Sequence, residues 1–547
     1  MKDPEKSLVL AKATAQAAHG GGLRLAVDSL QDRTILDWVK QGAPYDADDS
    51  VRVTELRVYP EERVLTGVGE TQQMVATACY SDGSMRDVTR LVQYSANNPG
   101  CVQVDARGVV KSLQTCETAV MVRTMGQAVA VRVMVGKGVP GPDHPPVAAH
   151  ENVIDREVFG KLRRLNIQPS ALSGNEQFLR RAYLDTVGLV PTAEEAQAFL
   201  ASGDERKRER VIDDLLRRRE FADVWALKFT EVFRAGTREA GAKGAKIVFD
   251  YLRQPFLAAK PYDVLVRELI LSQGAHSFPN SSMDGVAHAP TSFHNISFDS
   301  NAPDHATKIS QLFLGVRLEC AKCHNHPWEK WTQDDFYGFA AFFARVGIEE
   351  VYDNDENATQ YMEEGFVEHP KTKQRVTPRL LNGGTVQDEQ DKDIREDLVA
   401  WMTSPKNPFF ARTIVNRVWK HFMGRGLVEE LDDFRVTNPP AHPALLDALA
   451  GDLADHGYDL RRLMRLIMTS RVYQLSAEPN DSNRDNTINY SRSLIRRLGA
   501  EAMLDAMSKA TGVPEKFSGY PPGTRTMQLY SGAGATCWHR LAVPIAT

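Results

Sequence analysis

One segment of the chain has residue types and a spacing that point to specific chemistry. Residues 320–324 read Cys-Ala-Lys-Cys-His, and a second histidine, His326, follows two positions later. In a C-x-x-C-H run, the two thiols can bond to the vinyl groups of a haem or bind a metal ion as thiolates. The histidine then supplies an axial haem ligand or a tetrahedral metal ligand.

Histidines are enriched just before and within this run. Six of the chain's 14 histidines fall between positions 276 and 326: His276, His288, His294, His305, His324 and His326. Three acidic residues share the region: Asp284, Asp299 and Asp304. Such side chains can complete a metal's ligand set or orient the imidazoles that do so.

Haem c is the first of three interpretations of this pattern. Cys320 and Cys323 form the thioether bonds and His324 is the proximal ligand. A distal ligand then has to come from another residue, and the candidates are His294, His305 and Met283.

The second interpretation is a zinc or iron site, and the third is a structural role alone. In the metal site, Cys320 and Cys323 bind the ion together with His324 or His326, and an upstream histidine such as His294 or His305 is the fourth ligand. His326 fits this arrangement better, because two histidines two positions apart cannot comfortably serve one haem iron. In the structural interpretation, the cysteines are small buried apolar groups and the histidines satisfy backbone carbonyls.

Two helices are expected to bracket the motif. Upstream, apolar residues recur at i, i+3, i+4 and i+7 after Asp304 as the N-cap: Ile309, Leu312, Phe313 and Val316. Downstream, Thr332 and Asp335 form a capping-box pair ahead of a second such series: Phe336, Phe339, Ala340 and Phe343. The motif is therefore predicted to be a turn between packed helices.

Length and composition indicate an ordinary globular protein of several domains. The chain has 547 residues, of which 42 % are hydrophobic and 25 % charged, and its formal net charge is −5. That charge gives no global attraction to nucleic acid, and the Arg-rich stretch 204–219 has the apolar stripe of a solvated helix. The sequence has no apolar run long enough for a transmembrane helix, and its N-terminus lacks the apolar region of a secretory signal.

The periodicity of the chain changes along its length. Residues 1–44 show helical spacing, residues 51–137 alternate as short strands with turn signals between them, and 138–150 form a Gly- and Pro-rich linker. Many short strands at near-regular spacing predict a β-sandwich, and the remainder is predicted to be a large, mainly α-helical region. The β-rich stretch has three cysteines, which allow one disulfide and leave one thiol: Cys79, Cys101 and Cys116.

Two long helical segments resemble planctomycete families. Residues 151–346, with Phe178-Leu-Arg-Arg-Ala-Tyr-Leu-Asp185, Cys320-Ala-Lys-Cys-His-Asn-His-Pro327 and the run from Trp331 to Phe343, resemble the planctomycete cytochrome-like domain 2. After a connecting segment, 347–395, residues 396–547 resemble the planctomycete-specific domain 1, through Ala411-Arg-Thr-Ile-Val-Asn-Arg-Val-Trp419 and Leu463-Met-Arg-Leu-Ile-Met-Thr-Ser470. From about Tyr530 the sequence departs from that pattern, so a C-terminally shortened copy is expected.

The N-terminal part carries two further resemblances. Tyr80-Ser-Asp-Gly83, Asp87-Val-Thr89 and Asn97-Asn98-Pro99 are similar to the bacterial immunoglobulin-like domain of group two, a module that usually acts as a spacer or adhesive unit. His19-Gly-Gly-Gly22, Ile35-Leu-Asp-Trp38 and Gly42-Ala-Pro44 resemble the tail of a planctomycete cytochrome c-like domain, so residues 1–44 are interpreted as its remnant.

Together these features predict an extracytoplasmic protein, periplasmic or at the cell surface, that binds haem c or a metal and has a redox or electron-transfer role. The alternative is a surface-associated binding protein, or an accessory to polysaccharide degradation, with a structural zinc or iron site. The expected partner is a redox protein, or a cell-surface or polysaccharide ligand, and not nucleic acid. No hydrolase, nucleotide-binding or metalloprotease motif occurs, so no catalytic residue is assigned. Three histidines further along the chain are interpreted as structural: His421, His442 and His456.

Overall fold

The computed structural model describes most of the chain. The described residues are 3–45, 50–124, 126–139, 152–233, 237–275, 289–291, 293–294, 301–326, 329–351, 356–389, 392–518 and 520–529. The chain divides into two compact units, residues 1–56 with 77–87, and residues 57–76 with 88–547. The expected order of a β-rich region followed by a large helical region is confirmed.

The first unit contains two helices, α1 (Leu8–Ala13) and α2 (Leu30–Lys40). Ser29 caps α2, because its hydroxyl accepts the backbone N–H of Asp32 at 3.2 Å. Val39 is buried, whereas Leu23 and Leu30 are exposed. The helical character predicted for residues 1–44 is therefore present, although few of its apolar side chains are buried.

Ten strands form three sheets in the β-rich region: β1 (Val53–Tyr59), β2 (Glu62–Leu65), β3 (Thr71–Gln73), β4 (Val75–Tyr80), β5 (Met85–Asp87), β6 (Gln93–Ala96), β7 (Val102–Val104), β8 (Val109–Ser112), β9 (Cys116–Thr124) and β10 (Gln127–Val135). The sheet orders are β1-β4-β5, β2-β10-β9-β6 and β3-β8-β7. The longest pairing is β9 with β10, antiparallel from Thr124↔Gln127 to Cys116↔Val135. A disulfide joins Cys101 to Cys116 and leaves Cys79 as a free thiol.

Fifteen further helices follow in the described part of the chain. They are α3 (Val153–Arg164), α4 (Asn175–Val187), α5 (Ala193–Ala201), α6 (Lys207–Arg217), α7 (Arg219–Val232), α8 (Thr237–Leu257), α9 (Tyr262–Leu271), α10 (Ala302–Ile309), α11 (Gln333–Ala340), α12 (Arg395–Met402), α13 (Phe410–Met423), α14 (Pro443–Asp455), α15 (Leu460–Thr469), α16 (Arg471–Gln474) and α17 (Ala500–Thr511). None of the described helices is both long and apolar enough to cross a membrane.

A small sheet interrupts the helices, which the sequence pattern did not predict. Strands β11 (Gly274–Ala275), β12 (Val346–Val351) and β13 (Glu356–Tyr361) pair antiparallel in the order β11-β13-β12. Arg345 is buried beside this hairpin, and its guanidinium donates to the carbonyl of Lys392. This hydrogen bond ties the two ends of the connecting segment together.

Local capping patterns were partly predictable. The Thr192–Glu195 capping box of α5 is present, with hydrogen bonds of 3.1 and 2.7 Å. The prediction of Asp304 as the N-cap of α10 was wrong. Asn301 is the cap, and its side-chain oxygen accepts the backbone N–H of Asp304 at 3.0 Å, which places Asp304 in the first turn.

One hydrophobic core runs through the helices on both sides of the small sheet. It contains Phe178, Trp225, Phe313, Trp419 and Met464, among many others. Because α4 and α7 share this core with α13 and α15, the helical region is held together by contacts between residues some 200–300 positions apart, and not by separate cores.

Buried polar groups make the same long-range connections. Asp155, in the first turn of α3, accepts the backbone N–H groups of Arg471 and Val472 at 2.9 and 3.0 Å, the first two of α16, whose N-cap is Ser470. Arg181 of α4 donates to the carbonyls of Tyr473 and Leu475. Removal of the Asp155 or the Arg181 side chain would therefore leave backbone N–H or carbonyl groups in the core without a hydrogen-bond partner.

A buried ion cluster joins the four-stranded sheet to α3. The carboxylate of Glu117 on β9 accepts from Lys161 at 2.7 Å and from Arg132 on β10 at 3.1 Å. Both cations also donate to the carbonyl of Ala441. Burial lowers the pKa of Lys161 to about 8, although Glu117 opposes the shift.

We expect Asp155→Ala to destabilise the whole helical region, and not α16 alone. The variant leaves two backbone N–H groups without their acceptor, at a cost of about 2–4 kcal/mol. Chemical denaturation followed by circular dichroism should show one transition, shifted as a whole to lower denaturant. The matched control is Asp213→Ala, which removes the exposed ion pair with Arg465 across the same two parts of the chain and should cost less than about 1 kcal/mol. Two separate transitions, with only one shifted, would contradict a shared core.

Candidate functional site

The segment before the Cys-His motif is not one regular helix. Helix α10 ends at Ile309, residues Ser310–Leu314 form a π-helical turn, and Gly315 ends it with a φ of 66°. A Cβ at position 315 would lie 2.4 Å from the ring of Phe434, whose N–H donates to the Gly315 carbonyl at 2.9 Å. Position 315 therefore requires glycine both for its backbone conformation and for its close packing.

The motif itself is a short 3₁₀ turn, Glu319–Lys322, between this segment and α11. Ala321 is buried beneath the turn, while both cysteines, Cys320 and Cys323, are exposed free thiols. The prediction of a turn between helices is consistent with this placement. The third interpretation, in which the cysteines are buried apolar groups, does not match their exposure.

Backbone atoms of the turn are held by side chains of α11. The carbonyl of Lys322 accepts from Gln333 Nε2 at 3.1 Å and from the Tyr337 hydroxyl at 3.2 Å. The Thr332–Asp335 capping box fixes the start of α11, as predicted. The turn is thus anchored through its main chain, which leaves its cysteine side chains directed to solvent.

The imidazole of His324 is oriented by the residue that follows it. Its Nδ1 lies 2.8 Å from the carbonyl oxygen of Asn325, and because a carbonyl only accepts, Nδ1 carries the proton. The neutral ring then has its lone pair on Nε2, and no hydrogen bond to Nε2 occurs within the described residues. His324 is exposed, so Nε2 is accessible as a ligand atom.

His326 differs from His324 in its surroundings. It is half-buried, and its backbone N–H donates to the carbonyl of Trp331 at 2.8 Å, which closes the loop that follows the motif. Burial, with a smaller contribution from Arg435, lowers the pKa of its imidazole. The ring is therefore mostly neutral near pH 7.

The upstream histidines proposed as ligands lie inside the core. His294 and His305 are both fully buried, and their rings are 5.4 Å apart. His294 Nε2 bonds to the carbonyl of Ile270 at 3.1 Å, and His305 Nδ1 to that of Asn301 at 2.9 Å. Burial lowers the pKa of His305 to about 4.

The structure does not bring the whole predicted ligand set together. Among the described residues, no three His, Cys, Asp or Glu side chains converge as a metal-binding group. Several predicted candidates lie outside the described residues: His276, Met283, Asp284, His288 and Asp299. Asp304 comes near the motif, since its carboxylate lies 3.7 Å from Lys322 Nζ.

Two family models match most of the helical region. Residues 153–347 match PSCyt2, described as a protein of unknown function (DUF1549), and residues 394–534 match PSD1, described as a protein of unknown function (DUF1553). The two matches support a two-domain, planctomycete-type family for this part of the chain. Comparison with curated proteins gives no match.

The two matches confirm the resemblance to planctomycete families that was predicted from the sequence of residues 151–346 and 396–547. The likeness of 51–137 to an immunoglobulin-like module and of 1–44 to a cytochrome c-like tail stays a prediction. The shared core described above consists largely of residues from the PSCyt2 and PSD1 segments, so the two segments fold against one another.

Two residues that hold the backbone of the motif in place, Gln333 and Tyr337, were not predicted from the sequence. A signal was present, because both are polar residues one helical turn apart in α11, immediately after the Cys-His run. The structural role interpreted for His421 stays a prediction: its Nε2 donates to the backbone carbonyl of Asp185 at 2.6 Å, and its ring packs edge-on against Trp225.

We expect Cys320 and Cys323 to be the most reactive thiols among the described residues of the protein produced without a cofactor. Both are exposed, whereas Cys79 is half-buried, so a short pulse of iodoacetamide should label Cys320 and Cys323 about tenfold faster than Cys79. Peptide mass spectrometry measures each rate, and Cys101 and Cys116 should stay unlabelled until the disulfide is reduced. Equal protection of Cys79, Cys320 and Cys323 would contradict the exposed placement of the motif.

Proposed function

We propose that this chain is an extracytoplasmic redox protein that holds haem c on the Cys320–His326 turn. Cys320 and Cys323 are the attachment residues, and His324 is the proximal ligand. The alternative is a zinc or iron ion at the same site, bound by Cys320, Cys323 and His324 or His326. The experiment below distinguishes this metal site from haem c.

The orientation of His324 is the observation that carries the proposal. Its Nδ1–H donates to the Asn325 carbonyl at 2.8 Å, which fixes the tautomer with the lone pair on Nε2. A histidine that ligates a metal usually donates its other ring nitrogen to a carbonyl or carboxylate in this way, and the bond increases the basicity of the ligand nitrogen.

The thiols fit covalent attachment equally well. Both are free and exposed on one turn, so vinyl groups can reach them without a rearrangement of the core. The anchors at the Lys322 carbonyl, from Gln333 and Tyr337, hold the turn in place while its side chains react. Bound haem would supply one-electron transfer at this position.

His294 and His305 are poor candidates for the distal ligand. Both are fully buried and pack against each other, and His305 also stacks on Phe343 at 5.6 Å. Their recruitment to a surface turn would require opening the core. In this proposal the buried pair has a structural role, and the distal ligand comes from another residue.

The disulfide supports an extracytoplasmic location. Cys101–Cys116 has a Cα–Cα distance of 5.8 Å, within the usual range for a disulfide, and such bonds persist mainly in oxidising compartments. The β-rich stretch 51–137 is proposed to be an immunoglobulin-like spacer, which matches a protein that presents its helical region at a surface or in the periplasm.

Expression with a cytochrome c maturation system tests the proposal. The purified protein should show a Soret band that survives acid-acetone extraction, and the double variant Cys320→Ala/Cys323→Ala should lose it. His324→Ala should keep the covalent haem but alter the absorption spectrum, because the proximal ligand is lost. The matched controls are His326→Ala and Cys79→Ser, which should leave both the attachment and the spectrum unchanged.

Two results would count against haem. Stoichiometric zinc or iron by elemental analysis, without a stable Soret band, would establish the metal alternative. A Cys323→Ala variant with full metal content and unchanged stability would remove Cys323 from any cofactor site.

A further inference from the structure

A cleft of about 360 Å³ lies beside the first turn of α11. Lys330, Trp331 and Asp335 form one wall, and residues of the segment 379–385 form the other. This volume is at the lower end of the range for small-molecule sites. The second wall belongs to the connecting segment, which neither family match covers and to which the haem proposal gives no role.

The second wall is a short hairpin whose shape is fixed by the fold. The backbone N–H of Leu380 donates to the carbonyl of Gly384 at 3.2 Å, and that of Val386 donates to the carbonyl of Pro378 at 2.8 Å. Leu381, at the start of the turn, is fully buried in the hydrophobic core. The wall is therefore formed before any ligand arrives, as is usual for a binding site.

A backbone hydrogen bond joins the two walls. The N–H of Arg379 donates to the carbonyl of Gly338 in α11 at 2.9 Å. A Cβ at position 338 would lie 2.7 Å from the Cβ of Arg379, so this close approach requires glycine. The contact fixes the backbone of Arg379 beside the helix whose first turn contains Asp335.

Two cations and one carboxylate line the cleft, Lys330 and Arg379 against Asp335, which leaves a single formal positive charge. The carboxylate is already engaged, because Asp335 Oδ2 accepts the backbone N–H and the hydroxyl of Thr332 at 2.9 and 2.8 Å. Its Oδ1 lies 3.8 Å from Arg379 Nη1, which is too far for a hydrogen bond. The cleft is thus locally positive on a chain whose formal net charge is −5.

Both cations keep their donors available. Lys330 makes no hydrogen bond or ion pair to any described residue, and its Nζ lies 5.0 Å from the centre of the Trp331 ring. That cation–π contact places the ammonium over a buried indole. The guanidinium of Arg379 likewise makes no hydrogen bond within the described part of the chain, so its planar fork of N–H groups is available. A single unpaired lysine is common at a surface, but here two such cations line one pre-formed cleft.

This set of donors indicates the chemistry of a ligand. A carboxylate or a sulfate ester has one negative charge, which balances the cleft, and its oxygens accept from the Arg379 fork and the Lys330 ammonium. Asn382 and Thr385 add an exposed amide and an exposed hydroxyl to the lining. These neutral groups both donate and accept, so they match hydroxyl groups on the same ligand.

From this arrangement we propose that the Lys330–Arg379 cleft binds a small, hydroxylated ligand with one singly charged oxyanion group, a carboxylate or a sulfate ester. Arg379 and Lys330 bind the oxyanion, and the neutral side chains of the hairpin bind the hydroxyl groups. This inference is independent of the cofactor proposed at the Cys320–His326 turn, because neither the two cysteines nor His324 lines the cleft.

Titration of the full chain with ligands that share one sugar scaffold tests the proposal. D-Galacturonate and D-galactose sulfated at its primary hydroxyl each carry one oxyanion, whereas D-galactose is neutral and D-galactosamine is cationic. Isothermal titration calorimetry should give a Kd of about 1 mM or tighter for at least one of the two anions. The neutral and cationic sugars should bind about tenfold more weakly. The anion that binds more tightly identifies the group as a carboxylate or a sulfate ester.

Substitutions at the two cations assign the binding to the cleft. Lys330→Gln and Arg379→Gln should each raise the Kd about tenfold, and Arg379→Lys, which keeps the charge but loses the fork, should raise it about threefold. Lys330→Gln should leave thermal unfolding unchanged, because the ammonium has no partner among the described residues. Lys371→Gln is the matched control, since Lys371 is an exposed lysine of the same connecting segment outside the cleft, and it should leave the Kd unchanged.

Three results would overturn the proposal: no binding of either anion, binding of the neutral or cationic sugar as tight as that of the anions, or anion binding that Lys330→Gln and Arg379→Gln leave unaltered. The double variant Cys320→Ala/Cys323→Ala should bind the anion as the wild type does. Loss of binding in that variant would contradict the independence of the two sites.

Discussion

The helical region depends on the burial of Asp185. Its carboxylate accepts from Tyr473 and Arg496, and its backbone carbonyl accepts from His421, so one residue of α4 in the PSCyt2 segment is bonded to three residues of the PSD1 segment. Burial raises the pKa of Asp185, and the Arg496 guanidinium opposes that shift. An aspartate at this depth is tolerated only with these partners, so the two segments have to assemble together.

Other buried acids repeat this pattern. Asp155 accepts the first two backbone N–H groups of α16, and Asp223 of α7, 2 % exposed, is bonded to Arg253 and Arg525. In each case a carboxylate from the first matched segment has at least one partner in the second. Such contacts leave no local trace in the sequence, because an aspartate in a helical pattern is more often a solvated residue.

The features that could be predicted from the sequence are those that depend on nearby residues, and contacts between distant segments could not be predicted. The Thr332–Asp335 capping box and the turn at Cys320 depend on neighbours within a few residues, and the pattern located both, together with the β-rich stretch 51–137. It did not locate the small sheet β11-β13-β12, whose strands pair with one another across the helical region. The cap at Asn301 was missed because Asp304, also a good capping residue, lies one turn later. The burial of His294 and His305 could not be predicted, because it depends on how α9, α10 and the 3₁₀ turn Ala341–Phe343 pack together.

The candidate site at the Cys-His turn differs from the scaffold in how its polar groups are used. Where Asp155, Asp185, Asp223 and Glu117 are buried, the fold supplies each with donors, as the cost of an unpaired buried charge requires. At Cys320, Cys323 and His324 the fold instead fixes the backbone and leaves the reactive atoms exposed. Atoms that the scaffold orients but does not bond are what covalent attachment of a cofactor needs, and the proposed attachment at the turn rests on this contrast.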